Sequence, residues 1–316
     1  MAESNGVRSR SLALLGLLGV LFGASFPFAR LGVGAGANPF ILISLDLGLA
    51  AGTMAILSWI THDRRPAARE LAKSVGIGAL LIGGINLSLF WGIQYASGGA
   101  AAIVYATAPL VSILAGLILG NRAGLSMRES AALGLGLLGV VVLVLTSAGT
   151  GVLTDSWAIV SFGVGAACQG TGAVVLARVK PNGESRWGLT FEFLGAAVVA
   201  VGIAALFAPH TTLPAVPAVA ESIVFLVFGT LVGGYLIYHE LVRRSGPVRA
   251  NLVTYLNPIV ALAIGLAVFR EPFQPFELVG LTVILVALLL LQIPIRRPTG
   301  RPVPSEVMEP PSLTHL

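Results

Sequence analysis

Three ionisable side chains stand inside long apolar stretches of this sequence: Asp46, Glu192 and His239. A carboxylate at the centre of a bilayer costs at least ~2.5–3.5 kcal/mol on insertion scales, so such groups face a cavity, pair with a neighbour or carry a proton. Asp46 and Glu192 are therefore read as ion-coupling residues that move a proton. The plainer alternative is a neutral carboxyl hydrogen-bonded to an adjacent helix. The imidazole of His239 suits either a pH switch or an interhelical hydrogen bond. Asn86, Trp91 and Tyr95 cluster in one apolar stretch, and Tyr235, Tyr238 and His239 in another. The second trio falls within one helical turn, so at least two of its members share a face. Amphipathic aromatic clusters suit a small organic molecule, and packing is the equal alternative for the tyrosines and Trp91. Thr107, Tyr255 and Asn257 flank two prolines, Pro109 and Pro258. Each proline removes a backbone donor within its run. Such a break either turns carbonyls toward a cavity or is a simple kink packed by neighbouring helices. Asn257 is the preferred substrate contact of this group.

The elements that must position these residues are membrane helices. The chain has 316 residues, of which 56% are hydrophobic and only 10% charged, with a mean hydropathy of +0.91. Soluble domains carry about 25% charged residues, so there is too little polar surface for a water-facing exterior. A membrane span needs about 20 mostly apolar residues. The chain holds such runs at about 11–33, 39–60, 74–96, 99–120, 126–147, 157–178, 187–208, 222–243, 248–269 and 275–294. The expected fold is therefore an all-α polytopic membrane protein with ten transmembrane helices. The first run is longer than the apolar core of a signal peptide and is read as a retained span.

Charge placement orients the chain. With both termini in the cytoplasm, every lysine and arginine among the 19 lies in an inside segment except Arg30 and Arg270. Positive residues accumulate on the cytoplasmic side, which also accounts for the net charge of +5 without a nucleic-acid partner. Trp59, Trp157 and Trp187 fall at span ends, where interfacial aromatics belong. The sequence predicts a multi-pass protein of the cell membrane.

The two halves correspond. Pro109 and Pro258 lie in spans 4 and 9; Arg122 and Glu271 follow them at equal spacing, and short turns, Ser97-Gly98 and Ser245-Gly246, precede them. Asp46 and Glu192 correspond too, each with an alanine four residues on, Ala50 and Ala196. Superposing the prolines sets Asn86 against Tyr235 and Trp91 against Glu240. Five spans per half is an odd number, so the second half enters the membrane inverted. Inverted repeats with broken helices are a transporter architecture, with the substrate site near the midplane between them. The expected organisation is a cytoplasmic N-terminus at 1–10, a first repeat at 11–147, an external connector at 148–156, a second repeat at 157–294 and a disordered cytoplasmic tail at 295–316.

This pattern resembles the EamA-type members of the drug/metabolite transporter superfamily. The resemblance runs over about residues 12–293 and is carried by Leu252 to Pro258, Gly265, Arg270-Glu271-Pro272 and Gly280. In the first half it rests on Tyr95-Ala96-Ser97, Ala108-Pro109-Leu110, Leu119-Gly120 and the opening Phe22-Gly23-Ala24-Ser25-Phe26. Arg122 occupies the first-half glutamate position, and Asp46 stands where an arginine is frequent. The resemblance implies two inverted five-helix repeats and ion-driven export of a small metabolite such as an amino acid.

Other chemistries fit less well. His239-Glu240-Leu241-Val242-Arg243 opens like the zinc motif His-Glu-x-x-His, but arginine at the second ligand position cannot bind the metal. A lone cysteine, Cys168, excludes a disulfide framework and a thiolate metal cluster. A catalytic serine elbow and a phosphate loop are missing, so the expectation is no enzyme, no cofactor and no metal. A passive channel or uniporter is the rival reading. The expected partners are a small-molecule substrate, the lipid bilayer and protons. The glycine pairs at helical spacing are too common in a chain with 39 glycines to argue for dimerisation, so a monomer or weak homodimer is expected.

Overall fold

The computed structural model of the chain describes residues 2–120, 126–147, 155, 157–180, 185–208, 213–270, 275 and 277–292. Arg122, Glu271, Pro272, the connector apart from Asp155, and the tail at 295–316 lie outside the described residues. Those described form helices and no strands. Seven are long and apolar enough to cross a membrane: Ala13–Gly34, Pro39–Ile60, Ala68–Gly92, Gly98–Ile118, Trp157–Val179, Arg186–Phe207 and Pro217–Arg244. Shorter apolar helices cover Ser130–Gly139, Val253–Ala267 and Leu278–Ala287. The expectation of ten long spans is thus met at seven positions, and among the described residues apolar helical stretches also occupy the other three. The third span also starts earlier than hydropathy predicts and ends at Gly92, which leaves Gln94 and Tyr95 in the turn after it.

In chain order the helices are α1 (Ala2–Gly34), α2 (Pro39–Ile60), α3 (Ala68–Gly78), α4 (Gly84–Gly92), α5 (Gly98–Tyr105), α6 (Ala108–Ile118) and α7 (Met127–Ser147). Then follow α8 (Trp157–Val179), α9 (Arg186–Phe207), α10 (Pro217–Val224), α11 (Tyr235–Ser245), α12 (Pro247–Ala250), α13 (Leu256–Ala267) and α14 (Glu277–Gln292). Their starts are set locally. Asn38 caps α2 by accepting from the backbone N–H groups of Phe40 and Ile41, with Pro39 in the first turn. Ser97 caps α5 through the Ala100 N–H, and Ser185 caps α9 through the Gly188 N–H.

Both halves interrupt the same two helices. A π-helical stretch, Ala79–Gly83, joins α3 to α4, and a longer one, Phe225–Gly234, joins α10 to α11. Such widened turns are frequent at functional sites. The second interruption is at the prolines. Pro109 opens α6 just after α5 ends at Tyr105, and its missing N–H leaves the Tyr105 carbonyl without the usual helical donor. Pro258 lies in the first turn of α13, after a 3₁₀ stretch, Asn251–Tyr255.

The halves pack reciprocally. Helix α1 of the first half seats on α13 of the second, and α8 of the second seats on α6 of the first. Helix α2 packs on α9, and α7 on α14. The seating is close because of two glycines. A Cβ on Gly23 would fall 2.6 Å from Val260 Cβ and 3.0 Å from the Asn257 carbonyl oxygen. A Cβ on Gly170 would fall 2.7 Å from both the Ala108 carbonyl oxygen and Val111 Cβ. Both contacts are made beside the proline of the opposite half. Hydroxyls tie further helices in the same reciprocal way: Ser222 donates to the Phe28 carbonyl at 2.8 Å and Ser161 to the Ser88 carbonyl at 2.7 Å. Large apolar side chains stay exposed on the outside, among them Trp59, Ile118, Val198, Leu206 and Phe207, as lipid contact requires.

Candidate functional site

A cavity lies where the reciprocal contacts meet. Its wall is Phe22, Ser25 and Phe26 of α1, Ile85, Asn86 and Leu89 of α4, Tyr105 of α5, Gln169 of α8, Thr230 of the second π stretch, Tyr235 of α11 and Asn257 of α13. About 40 Å³ of it is open to the centre of a water molecule, room for about three waters. A solute of amino-acid size therefore enters only if the surrounding helices part.

Most polar groups in the wall are held from behind, which fixes their direction. The Asn86 amide donates to the Ile82 carbonyl at 2.8 Å, within the π stretch, and Asn86 lines the cavity together with Tyr235. The Tyr105 hydroxyl donates to the Ile85 carbonyl at 2.8 Å. Ser25 donates to the Phe22 carbonyl at 2.6 Å, and Thr230 to the Leu21 carbonyl at 3.3 Å. Asn257 is the exception: it is 2% exposed, and its Oδ1 has no hydrogen-bond partner among the described residues. A buried amide oxygen without a partner costs about 1–3 kcal/mol, which a donor on a bound solute would recover. The aromatic part of the wall is one connected set, with Phe22 5.4 Å from Tyr235 and Phe26 5.4 Å from Tyr105, centroid to centroid.

Of the residues singled out in the sequence, Asn86, Tyr235 and Asn257 come together in this wall. The others stand elsewhere. Tyr238 is fully buried behind the cavity and donates to Asn251 Oδ1 at 2.8 Å. Trp91 is 40% exposed and stacks on Phe40, with Tyr95 against its edge. Thr107 donates back to the Val104 carbonyl at 2.7 Å and so supports the break before Pro109. The Tyr255 hydroxyl is buried with no partner among the described residues. Gln169, Thr230 and Tyr105 line the cavity, yet the sequence reading passed them over. Gln169 carried a usable signal, since an amide inside an apolar span is costly to bury unpaired. A second such amide, Asn251, is the centre of a polar knot beneath the cavity. It accepts from Tyr238 and, at 3.5 Å, from Gln169, and donates to Ser112 Oγ at 2.8 Å.

Two further ionisable groups meet nearby. Glu192 Oε2 on α9 and His239 Nε2 on α11 are 3.1 Å apart, with side chains 0% and 7% exposed. His239 also touches Tyr235 and Tyr238, at ring-centroid distances of 6.3 and 6.1 Å. It lines a recess of about 210 Å³ with Ser185, Arg186, Leu189, Leu236, Glu240 and Arg243. Asp46 is separate: it is fully buried, and neither carboxylate oxygen has a hydrogen-bond partner among the described residues. Glu240 binds Arg243 through two hydrogen bonds and also pairs with Arg244. It anchors the end of α11, as its position beside two arginines suggests. No group of three or more metal-ligating side chains occurs among the described residues.

The sequence pattern of the EamA-like transporter family matches residues 10–145 and again 156–293. The chain belongs to the EamA-like transporter family. Its relatives include the uncharacterized inner membrane transporter YedA of Escherichia coli K12. That protein is 27% identical over 289 residues, covering 88% of this chain and 91% of YedA. The uncharacterized transporter YyaM of Bacillus subtilis is 27% identical over 296 residues, covering 91% of this chain and 94% of YyaM. A probable terminal-alkyne amino-acid exporter of Streptantibioticus cattleyicolor is 25% identical over 304 residues, covering 93% of this chain and 96% of the exporter. A solved crystal structure has the same fold, with a TM-score of 0.60 at 17% identity, covering 88% of this chain and 95% of the other. The matched family and its transporter relatives, together with the apolar helices, make this a membrane protein of a transporter family.

Proposed function

We propose that the protein is a secondary transporter that exports a small metabolite, an amino acid or a related compound, by alternating access. In this reading the chain crosses the cytoplasmic membrane ten times as two inverted five-helix repeats, with both termini in the cytoplasm. The cavity binds the solute, and a membrane carboxylate, Asp46 or Glu192, supplies the coupling to protons. The observation that carries the proposal is the position of the cavity. It lies between the two halves, beside both π stretches and both proline breaks, where a rocking motion of one half against the other opens it first to one side and then to the other. The occupant is a small neutral or zwitterionic solute, since the wall offers hydroxyl, amide and aromatic groups and no formal charge. The amino-acid exporter among the relatives supports the same class.

The test is flux of a labelled amino-acid panel in proteoliposomes, with and without an imposed proton gradient. Saturable flux accelerated by the gradient is the expected result. Linear flux indifferent to the gradient would replace the transporter reading with a channel, and saturable but gradient-indifferent flux with a uniporter.

A further inference from the structure

Glu192 and His239 form a buried acid–base couple with a recess on one side and the cavity on the other. Glu192 is fully buried, and its Oε2 is 3.1 Å from His239 Nε2. His239 lines the recess shared with Arg186 and Arg243, residues that the charge pattern assigns to the cytoplasmic side. On the far side, Tyr235 is in ring contact with His239 and lines the cavity beside Asn86. The chain of contact runs from recess to His239, to Glu192 and Tyr235, to cavity. Asp46 has no such route: it lines none of the cavities described above and has no polar partner among the described residues.

We propose that the Glu192–His239 couple is the exchangeable proton-binding site, filled from the recess and linked to the cavity through Tyr235. It deepens the transporter reading, on which its coupling role rests, and assigns the exchange to Glu192 rather than to Asp46. The step conserves charge and atoms. The neutral imidazole takes a proton at Nδ1 from hydronium in the recess, leaving water, and passes the proton on Nε2 to the Glu192 carboxylate at Oε2. The products are a neutral imidazole and a neutral carboxyl, and the reverse path returns the proton. Proton transfer within a hydrogen-bonding distance of 2.6–3.2 Å is the geometry such a relay requires.

Other groups bear on the couple. Tyr235 and Tyr238 face it on α11, and Arg186, Glu240 and Arg243 share the recess. Asp46 lies on α2, which packs on α9. Glu70, paired with Lys73 and Lys180, lies at the start of α3, which also packs on α9. Filling the cavity moves Tyr235 and so changes the setting of the couple, which is how a solute would be tied to a proton.

The experiment is infrared difference spectroscopy across a pH step on the full chain in lipid nanodiscs, without substrate. Wild type and Asp46→Asn should both show a carboxyl protonation signal. Glu192→Gln should lose it, and Glu192→Asp should restore it with a displaced midpoint. Histidine-selective ¹⁵N spectra of the wild type supply a readout without substitution, in which the His239 resonance titrates together with the carboxyl band. The proposal is overturned if wild type gives no signal, if the signal persists in Glu192→Gln, or if Asp46→Asn abolishes it. Failure of the transporter reading looks different: no solute would show saturable flux while the proton signal stayed intact.

Discussion

Asn251 joins four helical segments through one fully buried amide, and its removal should be felt in a calculable way. Its Oδ1 accepts from the Tyr238 hydroxyl at 2.8 Å, and its Nδ2 donates to Ser112 Oγ at 2.8 Å. The Gln169 contact, at 3.5 Å, is weak. In Asn251→Ala, Ser112 keeps its own contacts to the Ala108 and Gly170 carbonyls, both at 3.2 Å, so its loss is small. Tyr238 is different, because its hydroxyl has no other hydrogen bond among the described residues and the residue is 1% exposed. An orphaned buried donor costs about 1–3 kcal/mol. In membrane proteins, however, paired substitutions average about 0.6 kcal/mol for such bonds and reach about 1.7. The expected loss for Asn251→Ala is therefore about 2 kcal/mol once the small void is included. Adding Tyr238→Phe removes the orphan, so the double variant should be more stable than the sum of the singles by about 0.6–1.7 kcal/mol. The assay is reversible unfolding in mixed micelles, read by tryptophan fluorescence, for wild type and the three variants. Strict additivity would refute the claim that this amide pairs with Tyr238, and with it the idea that the knot braces the cavity floor.

Other expectations follow from the same geometry. Gly170→Val forces a side chain against the Ala108 carbonyl and should destabilise the fold by about 1–3 kcal/mol, seen as a lower melting temperature in micelles. Asn257→Leu removes the unpartnered amide from the cavity wall. It should leave the melting temperature unchanged or raised while weakening solute binding about tenfold, the worth of one hydrogen bond, measured as KM in proteoliposomes. Arg30→Ala deletes donations to the Ile93 and Gln94 carbonyls, at 2.6 and 3.2 Å, that tie the end of α1 to the end of α4. The expected cost is about 1–3 kcal/mol, with faster proteolysis of the turn at 93–97 as the readout. Arg186→Ala breaks a partly exposed pair with Asp63 and should change stability by less than about 1 kcal/mol, measured by the same unfolding assay.

The long apolar runs of α2 and α9 were plain in the sequence because hydropathy depends on composition alone. Pro109 and Pro258 marked the breaks, since a missing N–H acts locally whatever surrounds it. Asn86 was legible as a polar residue in a costly place, and superposing the prolines even set it against Tyr235, with which it shares the cavity. What the sequence hid was direction around the helix. Tyr238 and Tyr235 are three residues apart, yet one turns to the cavity and the other to Asn251. Widened turns displace the residues after them, and nothing in Ala79–Gly83 or Phe225–Gly234 announces a π stretch. Glu192 and His239 were each visible, but their meeting depends on how α9 and α11 cross, which no local pattern encodes. Trp91 misled because an amphipathic ring serves a bilayer surface as readily as a ligand.

The reciprocal seating of α1 on α13 and of α6 on α8 bears on how the protein is made. Helix α1 leaves the ribosome well before α13, the helix whose Val260 meets Gly23. Until then α1 lacks the α13 contact that seats it against the second half. The two halves are therefore interdependent parts of one folding unit rather than two autonomous modules. Expressed as separate fragments in one membrane, they should be rapidly degraded alone and should rescue each other when produced together.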